Sequence, residues 1–360
     1  MLVTARFHLQ CQSIGLSSAS PLYLTMLGAL DQKEEVFCYP HLNYSCRKPT
    51  HPYVQAMIKY VLLSCISVIT VALNLLVIIS IAHFRQLHTR TNLLLLSLAV
   101  SDLLVGLILM PVEIIYIESC WNLGDMVCST YYLIEYIIKS VSVANMVLIS
   151  FDRYIAICYP LNYYTEVTTE KTKLCVLLCW SLSILYRIVV MHDPLEHPGM
   201  SNSCAGECVV IINNISGAID LVCTFIIPIL IIIILYLRVF VVAVSQARAL
   251  RSHISSVTMP QLGNVTAKMK ELKAARTLGI VVVVFLCCFC PYYVPSLVGK
   301  DTAVDASSVD VEIWLVHFSS CLNPVIYAFF YPWFRKSIKL ILTMQILKPG
   351  SRDWKVADNM

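Results

Sequence analysis

An acid and a base stand four residues apart in an apolar stretch of the chain, Glu135 and Lys139 in the sequence YYLIEYIIKS. On a helix this spacing places both side chains on one face, and an acid that precedes its base is the favourable order. An ionisable residue inside a membrane span is costly and by default indicates a functional site. Glu135 is therefore either neutralised by Lys139 or reserved for a cation that arrives from outside the protein.

Asp220 and Arg187 are ionisable residues in other apolar stretches, and Glu113 directly follows a further one. If Lys139 neutralises Glu135 and Arg187 neutralises Asp220, little free negative charge remains. If at least Asp220 stays free, it can bind an ammonium group, and we favour this interpretation. In a third interpretation the two bases hold a zwitterionic or acidic ligand.

Aromatic side chains accompany these charges, and their faces attract ammonium groups through cation–π contact. Glu135 precedes Arg153 by eighteen residues, about 27 Å along a helix, which is a depth that a ligand from outside can reach. The candidate ligand-binding residues are the ionisable and aromatic residues Glu113, Glu135, Lys139, Arg187, Asp220, Phe289, Tyr292, Tyr293, Trp314 and His317.

The composition indicates that membrane helices position these residues. The chain has 360 residues, of which 58% are hydrophobic and 13% charged, whereas soluble domains have roughly 25% charged residues. A helix needs about 20 apolar residues to cross a bilayer. Seven stretches meet this length, namely residues 61–82, 92–112, 126–151, 174–190, 209–237, 277–298 and 313–331. The fold class is therefore an all-α membrane protein, a bundle of seven transmembrane helices.

Lys and Arg set the orientation of the bundle, because they concentrate in cytoplasmic loops. They cluster after the first, third, fifth and seventh spans, which predicts an extracellular amino terminus. We divide the chain into an extracellular segment (1–57), a transmembrane domain (58–331) and a cytoplasmic amphipathic helix and tail (332–360), and we expect residues 1–25 to be an extension. Asn43 begins a glycosylation sequon on the outer side. The net charge of +4 reflects this topology and contact with lipid, and we expect no nucleic-acid partner.

Several classes of function are disfavoured by the sequence. The chain has neither a GxSxG nor an HExxH motif, so we expect no enzymatic activity. A transporter would show paired broken helices or internal repeats, and neither is apparent in the sequence. No cysteine pair or histidine cluster has convincing metal-binding spacing, and we expect no bound metal apart from a possible sodium ion near Asp102. Asn74, Asp102 and the Asn323-Pro324 pair can form a polar network within the spans.

An ordered set of residues resembles the rhodopsin-like G-protein-coupled receptors over residues 55–345. The set comprises Asn74, Asp102, DRY at 152–154, Trp180, Pro228 with Tyr236, CFCP at 288–291 and NPVIY at 323–327. Four further segments, HFRQLHTRTN, ESCWNLGD, CAGEC and SSCLNPVIYAFFYPWF, look like those of the trace amine-associated receptors of the divergent olfactory type.

The resemblance implies a receptor for extracellular amines that couples to a stimulatory G protein, raises cAMP and resides in the plasma membrane of olfactory neuron cilia. The family's amine-binding aspartate is Glu135 here, and Asp220 resembles the second anion of diamine receptors. We therefore expect diamines or polyamines as ligands, with Asp220 as the main ammonium partner and Glu135 as the second. The alternative is a receptor of the same fold for a zwitterionic, acidic or peptide ligand.

The resemblance also implies disulfides and a switch. Cys128 should pair with Cys208, and Cys204 should be tied to the amino-terminal segment, with Cys46 preferred over Cys38. Arg153 can pair with Asp152 or with Glu271, and a breakable ion pair at the cytoplasmic mouth suits a two-state switch. The switch residues are Asp102, Asp152, Arg153, Tyr236, Glu271, Asn323, Pro324 and Tyr327.

Overall fold

A computed structural model describes residues 4–6, 36–48, 53–116, 119–253, 276–293 and 306–356. Within these ranges, seven helices are long and apolar enough to cross a membrane, which confirms the predicted bundle. The spans, numbered in chain order, are Tyr53–His83, Arg90–Tyr116, Asp125–Cys158, Thr169–Val190, Asn214–His253, Arg276–Tyr293 and Ala306–Phe330. The first span begins before the domain boundary that the sequence predicts at residue 58.

The second and fifth spans each contain one π-helical turn. The turn of the second span is Val105–Leu109. The fifth span consists of Asn214–Leu221, the turn Val222–Ile226, and Ile227–His253. A π-turn inserts an extra residue into a helix and changes the direction in which nearby side chains project, and such turns are frequent at functional sites.

The fifth span begins later than the sequence pattern predicts. Val209–Ile211 is a short strand that pairs antiparallel with Thr4–Arg6, so the predicted start at residue 209 is wrong. The apolar, β-branched residues of this strand cannot be told from a helix by hydrophobicity alone. The helix starts at Asn214, where the Asn213 side chain accepts a hydrogen bond from the Ile215 amide and caps the first turn.

The amphipathic helix after the seventh span is Pro332–Leu342. Proline suits its first turn, where the missing N–H has no intrahelical partner to lose. Trp333 and Phe334 are buried against the main hydrophobic core, while Arg335 is exposed. The sequence-based prediction of this helix is therefore confirmed.

Buried polar side chains hold the spans together. Asn74 of the first span donates to the Ser320 carbonyl oxygen of the seventh at 3.0 Å. Asn323 of the seventh span donates to Asp102 Oδ2 of the second at 2.8 Å. Because a polar group left unpaired at this depth would be costly, these bonds fix the rotation of the seventh span against its neighbours.

Three disulfides tie the loops together at one end of the bundle, which we name the disulfide end. Cys128 pairs with Cys208 and Cys46 pairs with Cys204, the two bridges that the family resemblance implies. The third bridge joins Cys38 to Cys120, and the sequence analysis did not identify it. The opposite end of the bundle, which contains Arg153, is named the Arg153 end.

Gly206 allows this third bridge to pack against residues 204–208, which contain one cysteine of each of the other two bridges. Its φ is +100°, and a Cβ at this position would lie 2.8 Å from the Cβ of Cys38. The Gly206 carbonyl oxygen accepts a hydrogen bond from the Trp121 amide, next to Cys120. Any side chain here would both strain the backbone and displace the disulfide.

We predict that replacing Cys38 and Cys120 together by serine lowers the thermal stability of the purified protein. Loss of a native disulfide typically costs about 2–5 kcal/mol of unfolding free energy. The matched control is Cys65→Ser, since Cys65 is an exposed free thiol in the first span, and it should leave the melting temperature unchanged. Mass spectrometry of the unreduced protein should yield a peptide pair linked through Cys38 and Cys120, and any other partner for Cys120 would contradict the assignment.

Candidate ligand pocket and switch

The bundle contains two buried ion pairs, one within the third span and one between the fourth and fifth spans. Lys139 Nζ is 2.5 Å from Glu135 Oε1, one helical turn away on the third span. Arg187 Nη1 of the fourth span is 2.8 Å from Asp220 Oδ1 of the fifth. All four side chains are more than nine-tenths buried, so each charge depends on its partner rather than on water.

Polar and aromatic groups complete the surroundings of Arg187. Its Nε donates to Ser140 Oγ at 2.6 Å, and its guanidinium lies 5.2 Å from the centre of the Tyr136 ring. The Tyr186 hydroxyl donates to the same oxygen of Asp220 at 3.1 Å. Arg187 and Asp220 are therefore both engaged by several groups at once.

The favoured prediction that Asp220 stays free is wrong for the state described here. Asp220 precedes the π-helical turn of the fifth span, and Arg187 lies in the last turn of the fourth. An uncompensated carboxylate at this depth would be very costly, and the nearby guanidinium removes that cost. The alternative interpretation, in which each base neutralises one acid, describes both pairs: Arg187 with Asp220 and Lys139 with Glu135.

A third acid, Glu113, lies close to Glu135 and to His317. One ligand atom from each of these three side chains lies within 4.8 Å of the other two, and we name the three the acid–histidine cluster. His317 Nδ1 is 3.0 Å from Glu113 Oε2, and the Tyr131 hydroxyl donates to Glu113 Oε1 at 3.3 Å. Glu113 therefore has no Lys or Arg within ion-pair distance among the described residues.

The predicted aromatic residues lie around these charges. The Tyr292 ring centre is 4.1 Å from Lys139 Nζ, and Trp314 meets His317 edge-on at 5.9 Å. Tyr293 stacks on Phe225 of the fifth span at 4.0 Å. Phe289 stacks on Phe285, also at 4.0 Å, and so belongs to the core of the sixth span.

At the Arg153 end, Arg153 is held by its neighbour Asp152. Arg153 Nε donates to Asp152 Oδ2 at 3.0 Å, and the same carboxylate accepts hydrogen bonds from Thr91 Oγ1 and the Tyr163 hydroxyl, both at 2.9 Å. Burial raises the pKa of Tyr163, which lies in the loop helix Pro160–Glu166, to about 12, so its phenol remains a donor. The proposed partner Glu271 lies outside the described residues.

The other predicted switch residues lie between the two ends. Asn323 and Asp102 are bonded to each other, and Pro324 is inside the seventh helix. The hydroxyls of Tyr236 and Tyr327 are buried and donate no hydrogen bond to any described residue. A rearrangement that pairs them would therefore gain hydrogen bonds.

Several partners were not identified from the sequence. Tyr131, Ser140 and Tyr186 contact the pocket charges, and Thr91 and Tyr163 contact Asp152. Tyrosine, serine and threonine are common in apolar helices, so their type alone does not indicate a role. Only the regular helical spacing of Tyr131 from Glu135 could have suggested that they share a face.

Comparison with known proteins places these features in a family. Residues 73–327 match the model of the 7 transmembrane receptor (rhodopsin family). The chain is 38% identical to trace amine-associated receptor 13c of Danio rerio over 88% of this chain and 95% of that receptor. It is 38% identical to trace amine-associated receptor 8a of Rattus norvegicus and 34% identical to trace amine-associated receptor 4 of Mus musculus, in both cases over at least 87% of this chain and 94% of the relative.

We predict that Asp220→Asn alone destabilises the receptor by about 3–5 kcal/mol, because it leaves the buried Arg187 without its counter-charge. The double variant Arg187→Gln/Asp220→Asn removes both charges and should recover most of that loss. Thermal unfolding of the purified variants measures the coupling.

The matched control is Glu170→Gln, since Glu170 pairs with Lys173 at 2.8 Å but both side chains are exposed, and exposed pairs contribute little. If the double variant is no more stable than Asp220→Asn, the two residues do not form a coupled pair.

Proposed function

Because the chain belongs to the trace amine-associated receptors within the rhodopsin family of seven-transmembrane receptors, we propose that it senses an extracellular amine through Glu113. It is a multi-pass receptor of the plasma membrane and not an enzyme, and its partners are a small-molecule ligand and a G protein. The disulfide end faces outward in this proposal, and Asn43 at that end is glycosylated.

The balance of charge in the pocket carries the proposal. Glu135 and Asp220 each have a basic partner at 2.5–2.8 Å, whereas the partners of Glu113 among the described residues are a histidine and a phenol. The three carboxylates and the two bases therefore carry one net negative charge. A ligand with one ammonium group would balance it, with Glu113 as the primary partner.

The neighbours of Glu113 suit an ammonium group. Glu135 lies close enough to act as a second acceptor, and Trp314 and Tyr131 offer aromatic faces near His317 and Glu113. Aromatic faces attract ammonium groups most strongly at desolvated sites. An amine bound here would contact the second, third and seventh spans together.

A dibasic ligand would need one further step. Its second ammonium group would reach Asp220 only by displacing Arg187, which also donates to Ser140. Diamines and polyamines are therefore weaker candidates than monoamines in this proposal. An acidic or zwitterionic ligand is weaker still, because Lys139 and Arg187 are both engaged by carboxylates.

Binding would shift a population of conformations rather than start a chemical reaction. In the bound state we expect Phe289 to move against Phe285 and Arg153 to leave Asp152, so that the Arg153 end opens for the G protein. We also propose that the receptor couples to a stimulatory G protein, raises cAMP and is located in olfactory cilia. A sodium ion could stabilise the resting state through the buried oxygens of Asp102 and Asn323.

The proposal is tested by the cAMP response of cells to mono-, di- and polyamines. Glu113→Gln should raise the EC50 of an active amine at least about 30-fold, since loss of one partner of a buried charge pair costs about 2 kcal/mol or more. Glu196→Gln is the matched control, because Glu196 is an exposed acid at the disulfide end, and it should respond like the wild type.

The double variant Arg187→Gln/Asp220→Asn distinguishes the two anchoring sites. Because it removes the pair as a neutral unit, we expect a response to monoamines within a few-fold of wild type at equal surface expression. A normal response of Glu113→Gln together with a lost response of the double variant would return the anchor to Asp220. A response through another G protein without cAMP would contradict the proposed coupling only.

A further inference from the structure

The acid–histidine cluster combines donor groups that bind metal ions. Glu113, Glu135 and His317 belong to the second, third and seventh spans, and each is at least 95% buried. Their ligand atoms all lie within 4.8 Å of one another. Because the three residues are far apart in the chain, their sequence spacing gives no sign of this site.

Unsatisfied atoms face one another inside the cluster. Glu113 Oε2 and both ring nitrogens of His317 make no hydrogen bond to any described residue, although Nδ1 and Oε2 are only 3.0 Å apart. Their distance is short but their alignment does not suit a hydrogen bond. Buried polar groups without partners cost about 1–3 kcal/mol each, so an ion that binds Glu113 Oε2 and His317 Nδ1 together would gain that free energy for both atoms.

We infer that the acid–histidine cluster binds a divalent transition-metal ion, with Zn²⁺ as the best match, and that the ion competes with the amine for Glu113. The competition rests on the proposed function, whereas the metal site does not. Zn²⁺ accepts histidine nitrogen and carboxylate oxygen together, and sites with three protein ligands leave a fourth position open for an external ligand.

The donor types favour Zn²⁺ over a hard cation. Two donors at about 2.1 Å from a tetrahedral Zn²⁺ ion lie about 3.4 Å from each other, so Glu113 Oε2 and His317 Nδ1, which are 3.0 Å apart, would need to separate only slightly. Glu135 would complete the set by sharing its carboxylate between the ion and Lys139. Ca²⁺ requires six to eight oxygen ligands and Mg²⁺ an octahedral set, which this cluster does not offer.

The charges of the cluster attract a cation. The two carboxylates carry two negative charges, and Lys139 offsets one of them. The remaining negative charge attracts a cation of either valence, so the choice of a divalent ion rests on the donor types. A second group of metal-ligand residue types, Cys46, Cys204 and Glu207, is no competitor because its two cysteines form a disulfide and metal binding needs thiolates.

Titration of the purified full-length receptor with Co²⁺ tests the metal site without any amine. The protein for this titration is prepared without a polyhistidine tag. We expect visible absorption bands typical of low-coordinate Co²⁺ that saturate at one equivalent and disappear when Zn²⁺ is added. His317→Ala and the isosteric Glu113→Gln should each weaken binding at least about 100-fold, because even outer-shell changes cost 10–100-fold.

His192→Ala is the matched control. His192 is exposed and lies 3.3 Å from Glu196 at the disulfide end, so it would account for adventitious surface binding. This variant should bind Co²⁺ like the wild type. Zn²⁺ should also raise the melting temperature of the wild type but not of His317→Ala. A melting transition of His317→Ala that Zn²⁺ does not shift would show that the variant is folded and has lost the site.

The possible failures are distinguishable. If folded wild-type receptor binds no Co²⁺, or if binding is lost in His192→Ala and kept in His317→Ala, the metal site is wrong even when amines act through Glu113. If the metal binds as expected but Glu113→Gln responds normally to amines, the proposed function fails and the metal site stands. When both hold, micromolar Zn²⁺ should raise the EC50 of the amine without lowering the maximal response.

Discussion

Every charge that is buried between membrane helices needs a partner, and this requirement shapes the interior of the receptor. Three acids and two bases lie in the half of the bundle towards the disulfide end, and the bases pair with Glu135 and Asp220. The third acid, Glu113, instead contacts His317 and Tyr131, which need not be charged. Because a lone buried charge is costly, we propose Glu113 as the place where a cationic ligand binds.

The third span connects this place to the opposite end of the bundle. Glu135 and Lys139 lie in its first half and the Asp152–Arg153 pair near its end, and Glu135 is about 27 Å from Arg153 along the helix. Asp102 and Asn323 join the second and seventh spans between the two. Because Glu113 and His317 belong to these same two spans, an ion or ammonium group bound between them acts on helices that are already coupled. A two-state rearrangement needs such discrete, alternative contacts.

Much of this arrangement could be predicted from sequence, for identifiable reasons. Seven apolar stretches are a strong signal because a bilayer fixes their length, and Glu135–Lys139 is visible because both residues are in one helix. The pairing of Arg187 with Asp220 depends on how the fourth and fifth spans pack, and no spacing encodes that. For the same reason sequence identified Glu113 and His317 separately but not the contact between them. The strand at Val209 was misread because a short apolar run is compatible with either structure.

The most direct test of the account is an experimental structure of the receptor with a bound monoamine. The account predicts that the ammonium nitrogen lies about 2.8 Å from a Glu113 oxygen, with the Arg187–Asp220 pair intact. An ammonium group bound to Asp220, with Arg187 moved away, would contradict it.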